Sequence, residues 1–188
     1  MLWEPAIYEH KAALIGRHPH EVAASAELLT EAVLMEYATY RPDFITVGLD
    51  VYNIEAEALG AKLTIPGEDE CPDLDGPIYS LDNIPGDLAM PDIPGDGRFG
   101  LFLEAGRMVQ EEIGSRTKVR VAASGPVSMS AKLAGLEDLI ISLVMEDGNA
   151  SRMLSFAADI SLCDYAADAR AFREAVGDDS DLHVRRNI

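Results

Sequence analysis

Cysteine is scarce in this sequence: Cys71 and Cys163 are the only two, and they form neither a CxxC nor a CxH pattern. That argues against a disulfide framework and for a reducing, cytoplasmic setting. Basic residues are also few, 15 Lys and Arg against 33 Asp and Glu, for a net charge of −18. A chain this acidic repels phosphate backbones and anionic lipid, so neither nucleic acid nor a membrane is expected as a partner. The two basic clusters, Arg116 with Lys118 and Arg120, and Arg185 with Arg186, lack the interleaved aromatics of a nucleic-acid surface. No stretch approaches the roughly 18 apolar residues of a membrane span. The opening MLWEPAIYEHKAAL has no basic start and no long apolar run, so no signal peptide is expected. Nothing in the spacing of His10, His18 and His20 makes them converge, so no metal site is expected. The acidic segment at Glu68, Asp69, Glu70, Asp73 and Asp75 lacks the alternation and closing Glu of a calcium loop and reads as solvated. There is no internal repeat and no low-complexity tract.

What the sequence does contain is organised around DFITVGLDVYNIEAEALGAKL, residues 43–63. Phe44 to Leu49 is uncharged, β-branched and aromatic, with the length of one buried strand. Asp50 follows it directly. Ile54 to Leu59 has a helical pattern that Gly60 stops, and Ala61 to Ile65 reads as a second strand ended by Pro66-Gly67. Strand, acid, helix, strand is the pattern of a βαβ unit in a parallel sheet. An acid at the carboxyl end of a parallel strand stands where α/β folds place ligands.

The rest of the chain alternates helices and turns. Residues 1–18 form an arm or short helix. Pro19 opens a helix whose apolar stripe runs through Val22, Ala26, Leu29, Val33 and Tyr37, with Glu36 off it, and Arg41-Pro42 ends it. Residues 66–97 are acidic and rich in proline and glycine, a long functional or flexible loop. Residues 98–114 return to helical period. Val119 to Ala123 is a strand, Ser124-Gly125-Pro126 a turn, and 128–134 one or two helical turns. Another helix begins at Gly135. Asp147 caps a long helix from about Asn149 to Val176, on which Cys163 reads as core. Gly177 to Ser180 ends that helix, and the tail DLHVRRNI is a strand start or disordered.

Two stretches resemble one family. DFITVGLDVYNIEAEALGAKL is similar to the strand, Asp and "EALG" helix of the uroporphyrinogen decarboxylase superfamily. Ser124-Gly125-Pro126-Val127-Ser128-Met129-Ser130 resembles its G-A-P-F-T-L-A turn, with Ser128 where Thr is usual. The resemblance implies a (β/α)8 barrel. At 188 residues the chain is shorter than such a barrel, which takes about 250 and at least about 200. The expected fold is therefore α/β: a helix-rich partial TIM barrel with a small parallel sheet, one domain over 1–188 that equals the N-terminal half.

Asp50 is the candidate catalytic residue. In the decarboxylases the Asp at this point coordinates pyrrole nitrogens; the alternative is a cap for the helix near Asn53. Tyr52, Asn53, Gly125, Pro126 and Ser128 are candidate substrate-binding residues, each with a turn or cap reading beside it. Glu55 and Glu57 read as solvated or locally paired. The arginine-rich R-Q-A-G-R motif of the decarboxylases is missing; that region holds only Arg17. Lys132 also stands where they have Tyr after the Gly-Pro turn. Gly125 to Leu139 instead resembles the corrinoid-linked methyltransferase branch, in which a methyl group moves between a corrinoid and a small molecule. The alternatives are a tetrapyrrole decarboxylase and a non-catalytic half-barrel that binds a ligand or partner. No cofactor is expected in this chain: a corrinoid (cobalamin) is implied as substrate or partner cofactor, and zinc only with a C-terminal half. Open sheet edges lead us to expect a homo-oligomer.

Overall fold

The computed structural model describes residues 2–50, 53–92 and 95–176, with side chains as far as Cys163. The N-terminal arm leads into α1 (His10–Leu14) and α2 (Pro19–Val22), where proline's fixed φ suits the first helical position. Ser25 restarts the helix: its Oγ accepts from Leu28 N at 3.2 Å, opening α3 (Ala26–Tyr40). The single expected helix is thus two, because α2 ends at Val22 and Ser25 is extended, at φ −141°. Arg41 closes α3 at φ 49°, with its guanidinium over the Tyr37 ring, and Pro42 prevents continuation.

Strand β1 (Phe44–Val47) turns Ile45 and Val47 inward, fully buried. Next come α4 (Ile54–Ala58), β2 (Leu63–Thr64) and β3 (Asp73–Leu74), then a 3-10 turn at Leu81–Asn83. Helix α5 (Phe99–Ile113) leads to β4 (Lys118–Val121), which pairs with β1 in parallel, Val47 beside Val121. The parallel unit therefore runs from β1 through α5 to β4. The expected strand at 61–65 does not join that sheet; β2 pairs antiparallel with β3 in a small ribbon. The reason is reach. Five-residue α4 spans only about 7.5 Å, too short to carry the chain back alongside β1.

Past β4 come α6 (Pro126–Ala134), α7 (Leu136–Met145) and α8 (Asn149–Val176). Asp147 accepts from Asn149 N at 2.9 Å, as the capping reading expects. One core lies between β1 and helices α1, α3 and α5, around Leu29, Val33, Ile45, Phe102 and Val109. A second lies among α6, α7 and α8, around Met129, Leu133, Leu139, Met153 and Ile160. The long loop is tied to this second core: Leu81 is buried in it, and Ile78 N and Tyr79 N both donate to Leu133 O. Cys163 is exposed, not core, because Ile160 and Ser161 carry the inward face of α8 at that level.

The other face of β1 and β4 carries Phe44, Thr46, Lys118 and Arg120. The arm covers it. Asp43 N donates to Trp3 O, Thr46 Oγ1 donates to Glu4 Oε1 at 2.5 Å, and Arg120 pairs with Glu4. Two parallel strands with helices on one face form a sector of a barrel rather than a closed one.

Candidate active site at the carboxyl ends of the parallel strands

Asp50 stands three residues beyond Val47, past Gly48, whose φ of +137° lets the chain turn off the strand. Its side chain is fully buried, and so is most of the Arg98 guanidinium beside it. Arg98 sits at the start of α5, at the end of the proline-rich loop. Its Nη2 lies 2.6 Å from Asp50 Oδ2, a charge contact outside hydrogen-bond alignment. The same guanidinium donates from Nε to Glu57 Oε2 at 2.6 Å and from Nη1 to Ala23 O at 3.2 Å. One cation thus answers two carboxylates. Burial pushes the Asp50 carboxyl up to about 6, with Arg98 pulling the other way. Asp50 is not a helix cap: Asn53 holds the cap position of α4 and makes no side-chain cap bond.

Asn53 is buried beside Asp50. Its Nδ2 donates to Pro72 O at 2.7 Å. Among the described residues no donor meets Asn53 Oδ1 or Asp50 Oδ1. Both residues line a groove of about 380 Å³ together with Tyr8, Cys71 and Asp73, and Glu9 and Glu70 also line it. Burial pushes the Cys71 thiol up to about 12, so it stays protonated and is a poor nucleophile.

Beneath the groove lies a pair that sequence reasoning missed. Lys11 Nζ donates to Thr46 O at 2.9 Å and to Gly48 O at 3.0 Å, and sits 3.1 Å from Glu36 Oε2. Burial pushes Lys11 down and Glu36 up, each partner opposing the other's shift. The ammonium thereby anchors the end of β1, just before Asp50. One signal was available: Glu36 falls three after Val33 and four after Ala32, on the buried side of α3.

The second motif lies at the same end of the sheet. Gly125 occupies the cap position of α6 in extended geometry, Pro126 is the first helical residue, and Ser128, inside the helix, is not a cap. All three are exposed and none lines the Asp50 groove. The two motifs meet through Glu55, which is buried rather than solvated. Its Oε1 accepts from Ser124 N at 2.6 Å, while Ser124 O accepts from Ser161 Oγ at 2.8 Å. An acceptor under this turn satisfies a backbone N–H that burial would otherwise orphan. Asp50 and Asn53 therefore share a groove that Gly125, Pro126 and Ser128 do not line. Tyr52 lies outside the described residues, as does the tail from Gly177 on.

His18 and His20 stack with ring centres 5.6 Å apart, and His18 Nδ1 lies 3.5 Å from Asp69. Among the described residues, no three or more His, Cys, Asp or Glu side chains group so as to hold a metal. No helix among them is long and apolar enough to cross a membrane.

Comparison with curated proteins finds no match. A solved structure described as a methyltransferase from Methanosarcina mazei has a similar fold, with a TM-score of 0.75 at 19% identity. The match covers 87% of this chain and 48% of that one, so the chain spans about half the length of the structure it resembles. That proportion agrees with a partial barrel. The sequence model of the uroporphyrinogen decarboxylase (URO-D) family matches residues 6–170, nearly the whole described chain, and the protein belongs to that family.

Proposed function

We propose that this chain is the N-terminal part of a corrinoid-linked methyltransferase of the URO-D family, with its small-molecule site in the Asp50 groove. The observation that carries the reading is the groove's chemistry: it is lined by carboxylates, and Asp50 Oδ1 and Asn53 Oδ1, buried and without a partner among the described residues, are acceptors. Acceptors call for N–H or O–H donors. The amide-fringed edge of a corrinoid offers such donors. The pyrrole N–H groups of a porphyrinogen are donors too, but its carboxylate fringe would meet like charge here. Likeness to a methyltransferase fold points the same way.

A volume of about 380 Å³ is at the small end of ligand pockets, so the groove suits a small molecule or one edge of a corrinoid. The corrinoid supplies the cobalt-bound methyl chemistry when present. Asp50 and Asn53 would receive donors at the floor of the groove. Arg98 holds the Asp50 carboxylate in place, and Lys11 fixes the strand end that carries it. Zinc, if the enzyme uses it, would belong to residues beyond this half of the barrel.

The alternative within the family is decarboxylation of a tetrapyrrole, and a third reading is a binding protein without catalysis. Parallel spectroscopic titrations with methylcobalamin and with uroporphyrin separate them. A saturable change with methylcobalamin alone supports the proposal. A change with uroporphyrin alone supports the decarboxylase, and none with either supports the third reading.

A further inference from the structure

We infer that the small molecule held in the Asp50 groove is an organic cation, a protonated or quaternary amine or an amidinium, and not an acid. This deepens the reading of the groove as a ligand site and rests on it. Four carboxylates line the groove: Glu9, Asp50, Glu70 and Asp73. Among the described residues, no Lys or Arg lines it. The cations nearby are already engaged. Lys11 is spent on Glu36 and two strand carbonyls, Lys132 on Asp73. Arg98 faces both Asp50 and Glu57, which leaves the trio with one negative charge when both acids are ionised.

Buried, unpartnered acceptors at the floor give this acidic lining its direction. Asp50 and Asn53 are each more than nine-tenths buried, and among the described residues Asp50 Oδ1 and Asn53 Oδ1 meet no donor in hydrogen-bond geometry. A buried acceptor without a donor costs free energy until a ligand supplies one. A cationic N–H does so with charge assistance; a quaternary nitrogen instead draws on the carboxylate charge alone. At the rim, the Tyr8 ring is exposed and offers an aromatic face, the other partner an alkylammonium prefers. An anionic ligand would find four carboxylates, only two of them with a cationic partner, and no free Lys or Arg lining the groove among the described residues.

The test uses four probes of one shape, benzylammonium and benzamidinium against benzoate and benzenesulfonate, titrated into the full chain by calorimetry and ligand-observed NMR. The cations should bind saturably and the anions should not. Asp50→Asn should weaken cation binding at least tenfold. The double variant Glu137→Gln/Asp138→Asn on α7, where neither residue lines the groove, removes more charge and should leave binding unchanged. Anions binding as well as cations, an Asp50→Asn protein that binds like the parent, or an equal loss in the α7 variant would each overturn the inference. If Asp50→Asn does not fold, the exposed pair Glu9→Gln/Glu70→Gln carries the same test. Cation binding without any response to methylcobalamin would sink the methyltransferase reading and leave this one standing. A methylcobalamin response without cation binding would do the reverse.

Discussion

Asp50→Asn keeps the shape of the buried side chain and removes its ionisation. In the parent, burial moves the carboxyl from 3.8 to about 6 in the folded chain, while the unfolded chain ionises near 3.8. Between those values folding takes up a proton. The folded state therefore loses stability as pH rises from about 4 to about 6, and the loss stays constant above that. At about 1.4 kcal/mol per pH unit, the total is about 3 kcal/mol. Asparagine carries no such dependence. Urea unfolding of parent and variant at several pH values isolates the effect, because other titrating groups are shared and cancel in the difference. The stability of the parent relative to Asp50→Asn should fall by about 2 kcal/mol from pH 4 to pH 6.5, most of the total, and then level off. A difference that is flat with pH, or that rises, would refute the reasoning. It would mean that the Arg98 contact outweighs burial and holds the carboxyl at or below its ordinary range.

The remaining predictions concern the supports of the site and the assembly. Lys11→Met or Glu36→Leu alone strands a buried charge and should cost about 3–5 kcal/mol, while the double variant should recover most of it; denaturant melts of the three proteins check this. Glu55→Ala orphans the buried Ser124 N–H and should cost about 1–3 kcal/mol, with faster amide exchange at Ser124 as its local sign. Helix α7 exposes Ile140, Ile141, Leu143, Val144 and Met145, a patch that favours association, so light scattering should find a dimer or larger. A clean monomer at tens of micromolar contradicts that, and Val144→Glu should weaken any assembly found.

Much of the helical frame was legible because glycine and proline punctuate it: Pro19, Gly60, Gly114, Pro126 and Gly135 each fall at or beside an element boundary. The position of Asp50 at the carboxyl end of a parallel strand was legible because a strand-length apolar run ends just before it. The sequence did not reveal what surrounds it. Arg98 closes a loop whose composition says only "turn", and its partners, Ala23, Asp50 and Glu57, are 41 to 75 residues away. Glu36 read as off the apolar stripe of its helix and Lys11 drew no notice, because local periodicity does not show a pair brought together by helix packing. Glu55 was misread for the same reason: its partner, Ser124 N, lies 69 residues on. The strand at 61–65 was read as parallel because pattern gives strand content, while pairing depends on how far the connecting helix reaches. Asp50 as a cap was a local reading, and the tertiary contact with Arg98 displaced it.

The central claim is that the Asp50 groove is where this chain meets its ligand. The most direct test is a methylcobalamin titration of the parent and of Asp50→Asn, followed by visible absorbance, with thermal melting of both proteins beside it. The account predicts a saturable change for the parent and at least a tenfold weaker one for the variant, with the variant still folded. A folded variant that binds methylcobalamin as tightly as the parent would contradict it.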